Sequence, residues 1–262
     1  MKKILRIIPV LFIKNGLIVR SQNFQKHQFI GNVIEQAKRL NDYNVDELVY
    51  IDITRNNNYD MGRDDLLIKS QKGIMSIIKE ISKVCFMPLT FGGGIRSVED
   101  AVNRIRAGAD KIVINSLLFK DLDLVKKIIS EIGSQAVVAS LDYKIIKKKL
   151  IIFNNFGKNN TKMELINFLK KIENLGVGEF FIQNIDLDGL QKGFDIKNIK
   201  KIVNSVNLPV IACSGAGSIK HFLDAVKIKG LSAVAAGNYF NYTERSYPLT
   251  KKKLKNLNIN VR

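Results

Sequence analysis

Pro88-Leu-Thr-Phe-Gly-Gly-Gly-Ile-Arg-Ser97 lines up with Pro209-Val-Ile-Ala-Cys-Ser-Gly-Ala-Gly-Ser218. Each block opens on a short apolar run, passes through a small-residue turn and closes on a serine ahead of an amphipathic segment. That order spells a buried strand, a tight loop and a capped helix. Each block is followed by a glycine near the helix end (Gly108, Gly230), another apolar run and a turn containing asparagine (Asn115, Asn238). Asp52 with Thr54 likewise mirrors Asp186 with Asp188-Gly189. The second half of the chain repeats the first.

Working outward, short β-branched runs recur along the whole sequence. Strands are predicted at Arg6–Leu11, Glu47–Asp52, Leu89–Phe91, Lys111–Ile114, Ala136–Asp142, Glu179–Asp186, Pro209–Ala212 and Ala233–Ala236. Helical patterns fall between them at Asn32–Leu40, Ile68–Ser82, Ser97–Ala107, Asp121–Gly133, Lys162–Gly176, Ile196–Val206 and Ser218–Lys229. Two ribbon-like insertions, Leu17–Arg20 and Leu150–Phe153, follow the first and fifth strands and are equivalent in the repeat. The strands carry few charges, as parallel strands buried on both faces do. Eight βα units with an internal repeat predict a (β/α)8 barrel. It is expected to form one domain over 1–262, with half-barrels of about 1–130 and 131–262. An open doubly wound sheet explains neither the strand count nor the repeat.

Composition narrows the function. The 262 residues suit one barrel, and 42 Lys+Arg against 24 Asp+Glu give a formal charge of +18. Such basicity invites a nucleic-acid reading. The lysines are spread along the chain, however, as in Lys126-Lys127, Lys147-Lys148-Lys149 and Lys251-Lys252-Lys253, and tryptophan is absent. They read as solvated helix faces, and no nucleic-acid partner is expected. A basic, non-catalytic binding scaffold is the alternative from another functional class. No apolar run approaches the ~18 residues of a membrane span. Arg6, Pro9 and Lys14 interrupt the apolar N-terminal stretch, which argues against a signal peptide. Cys85 and Cys213 lie in apolar runs and read as reduced core thiols of a cytoplasmic protein. His27 and His221 lack partners at ligand spacing, and no dinucleotide motif occurs in the right context. Neither a metal nor a cofactor is expected.

Barrel chemistry belongs on the loops after the strands. Four strand ends carry small residues that let backbone N–H groups approach an anion: Gly92-Gly93-Gly94, Asn115-Ser116, Ser214-Gly215-Ala216-Gly217 and Gly237-Asn238. Two such sites on opposite rims would hold a ligand with a phosphate at each end. Asp52, Thr54, Asp142, Gln183, Asn184, Asp186 and Asp188 supply polar side chains at the same level. Asp142 ends a very apolar strand and is the best single candidate for a general acid or base. The equivalent place in the first half is Phe12, so a carboxylate pair across the mouth is missing one member. At the other end, Arg6, Glu47, Lys111 and Glu179 stand at strand starts, where two charges of each sign can neutralise one another.

These residues resemble the cyclase-subunit family of imidazole glycerol phosphate synthase, one of the histidine-biosynthesis barrels. The similarity runs through Arg6-Ile-Ile-Pro9, Asp46-Glu-Leu-Val-Tyr-Ile-Asp-Ile-Thr54, Gly92-Gly-Gly-Ile95, Gly108-Ala-Asp-Lys111 and Gly133-Ser-Gln-Ala-Val-Val138. It continues through Ile185-Asp-Leu-Asp-Gly189 and Ser214-Gly-Ala-Gly217 to Asn258-Ile-Asn-Val-Arg262. The resemblance implies a glutaminase partner on the N-terminal face of the barrel. Its ammonia would pass a gate at Arg6, Glu47, Lys111 and Glu179 and attack a bis-phosphorylated substrate at the other face. Asp110 and Gln135 fall on family positions and are expected at the partner interface. Phosphate binding falls on Gly94, Asn115 and Ser116 in one half and on Gly189, Gly215, Gly237 and Asn238 in the other. Arg20, Asp52, Thr54, Gly93, Asp188 and Gly217 complete the expected binding set.

The departures from the family pattern gather at the top of the barrel. Its first catalytic aspartate is Phe12 here, whereas the second is retained as Asp142. Arg20 stands for a lysine, Ser214-Gly215 for adjacent glycines, Gly237 for a serine and Gln183-Asn184 for a Thr-Ser pair. Losing a carboxylate removes proton transfer worth ~10²–10⁴ in rate. Divergent copies resembling this chain occur with surface-polysaccharide genes, which implies ammonia delivery to a sugar-amidinating enzyme as an alternative to cyclase turnover.

Overall fold

A computed structural model of the chain describes residues 4–54, 59, 73–242 and 245–262. Eight parallel strands close on one another: β1 (Arg6–Lys14), β4 (Leu48–Asp52), β5 (Leu89–Gly92), β6 (Lys111–Ile114), β7 (Val137–Ile146), β10 (Glu179–Asn184), β11 (Val210–Cys213) and β12 (Ala233–Ala236). Pairing runs in that order, and β12 returns to β1 with Arg6 opposite Ala233 and Pro9 opposite Ala236. The predicted (β/α)8 barrel is the observed architecture.

Alternation along each strand builds two cores. Ile8, Val10 and Phe12 of β1 face the barrel interior with Val49, Val113, Val138, Phe181, Ile211 and Cys213. Ile7, Leu11 and Ile13 face the surrounding helices, as do Tyr50, Phe91, Phe180 and Ile182. The helices are α1 (Val33–Asp42), α2 (Ile74–Ser82), α3 (Val98–Arg106), α4 (Leu122–Ile132), α5 (Leu165–Glu173), α6 (Ile196–Val203) and α7 (Ile219–Ala225). Their starts are locally encoded. The Ser97 side chain accepts the Asp100 N–H at the head of α3, and Asp121 accepts that of Leu124 at the head of α4. Of the helix predicted at Ile68–Ser82, residues 68–72 lie outside the described residues.

The ribbons are larger than the sequence pattern indicated. β2 (Leu17–Gln22) pairs with a return strand, β3 (Lys26–Asn32), and β8 (Lys149–Asn154) pairs with β9 (Asn159–Glu164). The helix expected from Lys162 starts at Leu165 because residues 162–164 still pair in the ribbon. The strand expected to reach Asp186 ends at Asn184, where Ile185–Leu187 turn into a 3₁₀ helix. Two unpredicted helices, α8 (Asn238–Tyr242) and α9 (Ser246–Asn256), close the chain. Among the described residues, no helix is long and apolar enough to cross a membrane.

Candidate functional site

At the N-terminal end of the barrel the four charged strand-start residues meet. Arg6 Nη1 donates to Glu47 at 2.5 Å and Arg6 Nη2 to Glu179. Lys111 Nζ reaches Glu179 at 3.0 Å and Glu47 at 3.4 Å. Thr90 Oγ1 adds a bond to Glu47 at 3.0 Å. These side chains come from β1, β6 and β10 and from the entry to β4, so the pairs cross the interior instead of following one strand edge. Each buried carboxylate is shared by two cations, and the ring is neutral as a whole. Burial works against the charge of Arg6, but Glu179 and Glu47 outweigh it and hold the guanidinium more firmly protonated than an exposed arginine.

Around this ring the lower surface is partly apolar. Phe86, on the approach to β5, is 88% exposed. It borders a hollow of about 280 Å³ with Met87, Pro88, Asn41, Lys251 and Arg262. Asp110 and Gln135 are both exposed, next to the starts of β6 and β7. The Asp110 carboxylate accepts the Leu89 N–H at 2.7 Å.

The other end opens into a cavity of about 760 Å³. It brings together Phe12, Asp52, Thr54, Gly93, Gly94, Asn115, Ser116 and Asp142. Asp142 is buried and accepts from Asn115 Nδ2 at 2.8 Å and Gln183 Nε2 at 3.1 Å. Burial raises its carboxyl to about 7, against the pull of those two donors, so it can both give and take a proton near neutrality. Asp52 accepts the Thr54 N–H at 2.9 Å and the Tyr59 hydroxyl at 2.5 Å. Thr54 Oγ1 in turn receives the Asn15 N–H. Gly93 has φ +104°, and a Cβ there would run into the Asp52 carbonyl, so glycine is required.

Asp188, Gly189, Gly215, Gly217 and Asn238, the binding residues expected in the second half, do not line this cavity. Asp188 is bound by the Ser21 hydroxyl at 2.7 Å and the Phe24 N–H at 3.2 Å, and its carboxyl is raised by burial. Asn238 Nδ2 donates to the Ser21 carbonyl at 2.7 Å. A Cβ on Gly189 would fall 2.5 Å from that same carbonyl. The Gly217 N–H is taken by His221 Nδ1 at 3.1 Å, and the Gly215 carbonyl by the Gly193 N–H at 2.7 Å. Two donors on this rim are thus already bonded within the chain, the Asn238 amide to the first ribbon and the Gly217 N–H to His221 of α7. Arg20 and Gly237 also lie outside the cavity lining; Gly237 packs beside Phe12, with 3.6 Å from its Cβ position to the ring.

Sequence reasoning missed several contributors. Arg104 is buried and donates to the Gly93 carbonyl at 2.7 Å, fixing the glycine turn. Its place in the last turn of α3 gave no hint of that reach. The ribbon tips bring Phe24, Phe156 and Lys158 over the cavity, and Arg96 and Lys120 add charge at its edge.

With this geometry in view, comparison with known proteins is informative. The model of the histidine biosynthesis protein family matches residues 6–246. The imidazole glycerol phosphate synthase subunit HisF of Saccharolobus solfataricus is 39% identical over 233 residues, 88% of each chain. HisF of Campylobacter concisus is 36% identical over 257 residues, 98% of this chain and 97% of its own. HisF of Bacillus cereus strain G9842 is 34% identical over 258 residues, 98% of both. The chain belongs to the imidazole glycerol phosphate synthase cyclase (HisF-like) family. Within this HisF-like barrel, Phe12 is the inward residue of β1 at the height where Asp142 faces inward from β7.

Proposed function

We propose that this chain, acting as a single cytoplasmic barrel domain, is the ammonia-accepting subunit of a glutamine amidotransferase. A glutaminase docks on the N-terminal face, where exposed Phe86, Asp110 and Gln135 surround the charged ring. Ammonia passes the ring, crosses the apolar interior and is used at the cavity on a phosphorylated small molecule. Asp142 serves as acid or base there. Gly93, Gly94, Asn115 and Ser116 bind a phosphate, aided by the open end of the cavity.

The observation that carries this reading is the ring itself. Arg6, Glu47, Lys111 and Glu179 bond across the interior, on the line from an exposed lower face to an upper cavity. Packing alone favours apolar residues at such a place, because buried ion pairs seldom stabilise a fold. The test is Lys111→Ala in complex with a cognate glutaminase. Glutamine hydrolysis should continue while ammonia incorporation falls. Unchanged coupling would remove the gate role.

A second reading has its own support. Phe12 puts an apolar wall opposite Asp142, and two second-half donors, the Asn238 amide and the Gly217 N–H, are taken by Ser21 and His221. Both features fit delivery of ammonia to another acceptor, such as a sugar-amidinating enzyme, better than turnover of a bis-phosphate. Ammonium salt plus the bis-phosphorylated substrate separates the two: efficient formation of imidazole glycerol phosphate would restore the cyclase reading.

A further inference from the structure

Gln183 lies on the inward face of β10, in line with Glu179 of the charged ring and Phe181 of the interior. It is 4% exposed. Its Nε2 donates to Asp142, which stands beside it in the strand register, but its Oε1 is buried with no hydrogen-bond partner among the described residues. A buried carbonyl oxygen without a donor is costly, so this position calls for a small N–H or O–H donor. Between the ring and Gln183 the interior is lined mostly by apolar residues, Val10, Val49, Val113, Val138 and Phe181, with the buried Ser140 paired to Phe181 in the strand register. That stretch heavily penalises an ammonium ion and only mildly a neutral molecule. What crosses it to Gln183 is therefore uncharged, and must be small.

We propose that the side-chain carbonyl of Gln183 receives ammonia at the upper end of the barrel interior, an inference that rests on the delivery role proposed above. Ammonia brings three N–H donors and one lone pair. One N–H satisfies Gln183 Oε1, and the adjacent Asp142 carboxylate offers an acceptor for a second. The amide thereby does two jobs at once: its nitrogen arm fixes Asp142, and its oxygen arm stations the nucleophile beside that carboxylate. Gln183 is a positioning residue in this scheme.

The experiment follows the Gln183 side-chain amide by NMR in the ¹⁵N-labelled barrel, assigned by its loss in Gln183→Met. Ammonium chloride at mildly alkaline pH should shift this resonance saturably. Potassium chloride at matched ionic strength, which offers a similar cation without N–H donors, should need at least tenfold more. In Gln183→Met the ammonium-specific shift of the neighbouring Asn115 amide should vanish, a readout that loss of packing alone would not abolish. Equal responses to the two salts, or none, would overturn the proposal and leave water as the occupant. Failure of the delivery role is recognised separately. A barrel that binds ammonia at Gln183 but associates with no glutaminase supports this inference, whereas a productive glutaminase complex without the specific shift refutes it alone.

Discussion

Replacing Asp142 with asparagine tests the electrostatic reading of the cavity. The carboxyl is buried and lifted from its ordinary 3.8 to about 7, even though Asn115 and Gln183 donate to it. Burial therefore outweighs two hydrogen bonds. In the unfolded chain the same group ionises near its ordinary value, so between about pH 4 and pH 7 the native state holds a proton that the unfolded state has released. Stability must fall as pH rises through that window, then level off once both states are ionised. A displacement of this size corresponds to roughly 4 kcal/mol. Asparagine keeps the shape but cannot ionise, and rotation of the Asn115 or Gln183 amide can meet its new N–H groups. Urea unfolding of both proteins from about pH 4 to about pH 8 gives the comparison. The stability difference should swing toward the Asp142→Asn variant by a few kcal/mol up to about pH 7 and stay constant above it. A pH-independent difference would mean that Asp142 is solvated in the native protein, and the proton-transfer role assigned to it would lose its physical basis.

Four further outcomes are expected. Phe12→Ala should cost about 3–5 kcal/mol in chemical unfolding, because the ring caps the interior core. Gly237→Ser should cost ~1–3 kcal/mol, since its Cβ would sit 3.2 Å from the Val10 carbonyl and 3.6 Å from the Phe12 ring, and the penalty should shrink in a Phe12→Ala background. Strict additivity would deny the contact. A ligand with phosphates at both ends should bind by calorimetry less than about tenfold tighter than its mono-phosphate, because Asn238 Nδ2 is committed to the Ser21 carbonyl. A large gap in the unmodified chain would show that the second rim is open. Both thiols should resist aromatic disulfide reagents until the protein unfolds, because burial pushes Cys85 up to about 11 and Cys213 higher still.

The barrel was legible because parallel strands buried on both faces leave contiguous β-branched runs, and because the Pro88 and Pro209 blocks mark equivalent corners. Strand-end position marked Asp142 and Gln183, and the half-repeat marked Phe12, whereas their inward facing came from the structure. The ribbons were read short for the opposite reason. β3, Lys-His-Gln-Phe-Ile-Gly-Asn, is half exposed along its length, and β9, Asn-Asn-Thr-Lys-Met-Glu, has no buried residue. α9 escaped notice because a run of lysines carries only Tyr247, Thr250 and Leu254 inward from its body, with Ser246 at its start. The closure over the second rim could not be read at all. It depends on Ser21 reaching Asp188 and Asn238, more than 160 residues away along the chain.

The two ends of the barrel answer to different physical constraints, which bears on the departures that the resemblance implies at one of them. In the lower ring each carboxylate serves two cations, so losing any member strands a buried charge at a cost of roughly 3–5 kcal/mol. Such a cluster is kept whole or replaced whole. At the upper end, the changes touch one another through packing. Phe12 packs beside Gly237, within contact distance of a Cβ placed there, and Gln183 bridges to Asp142 from the strand next to it. A packed, ordered mouth above a paired charged ring fits the ammonia delivery proposed for this chain.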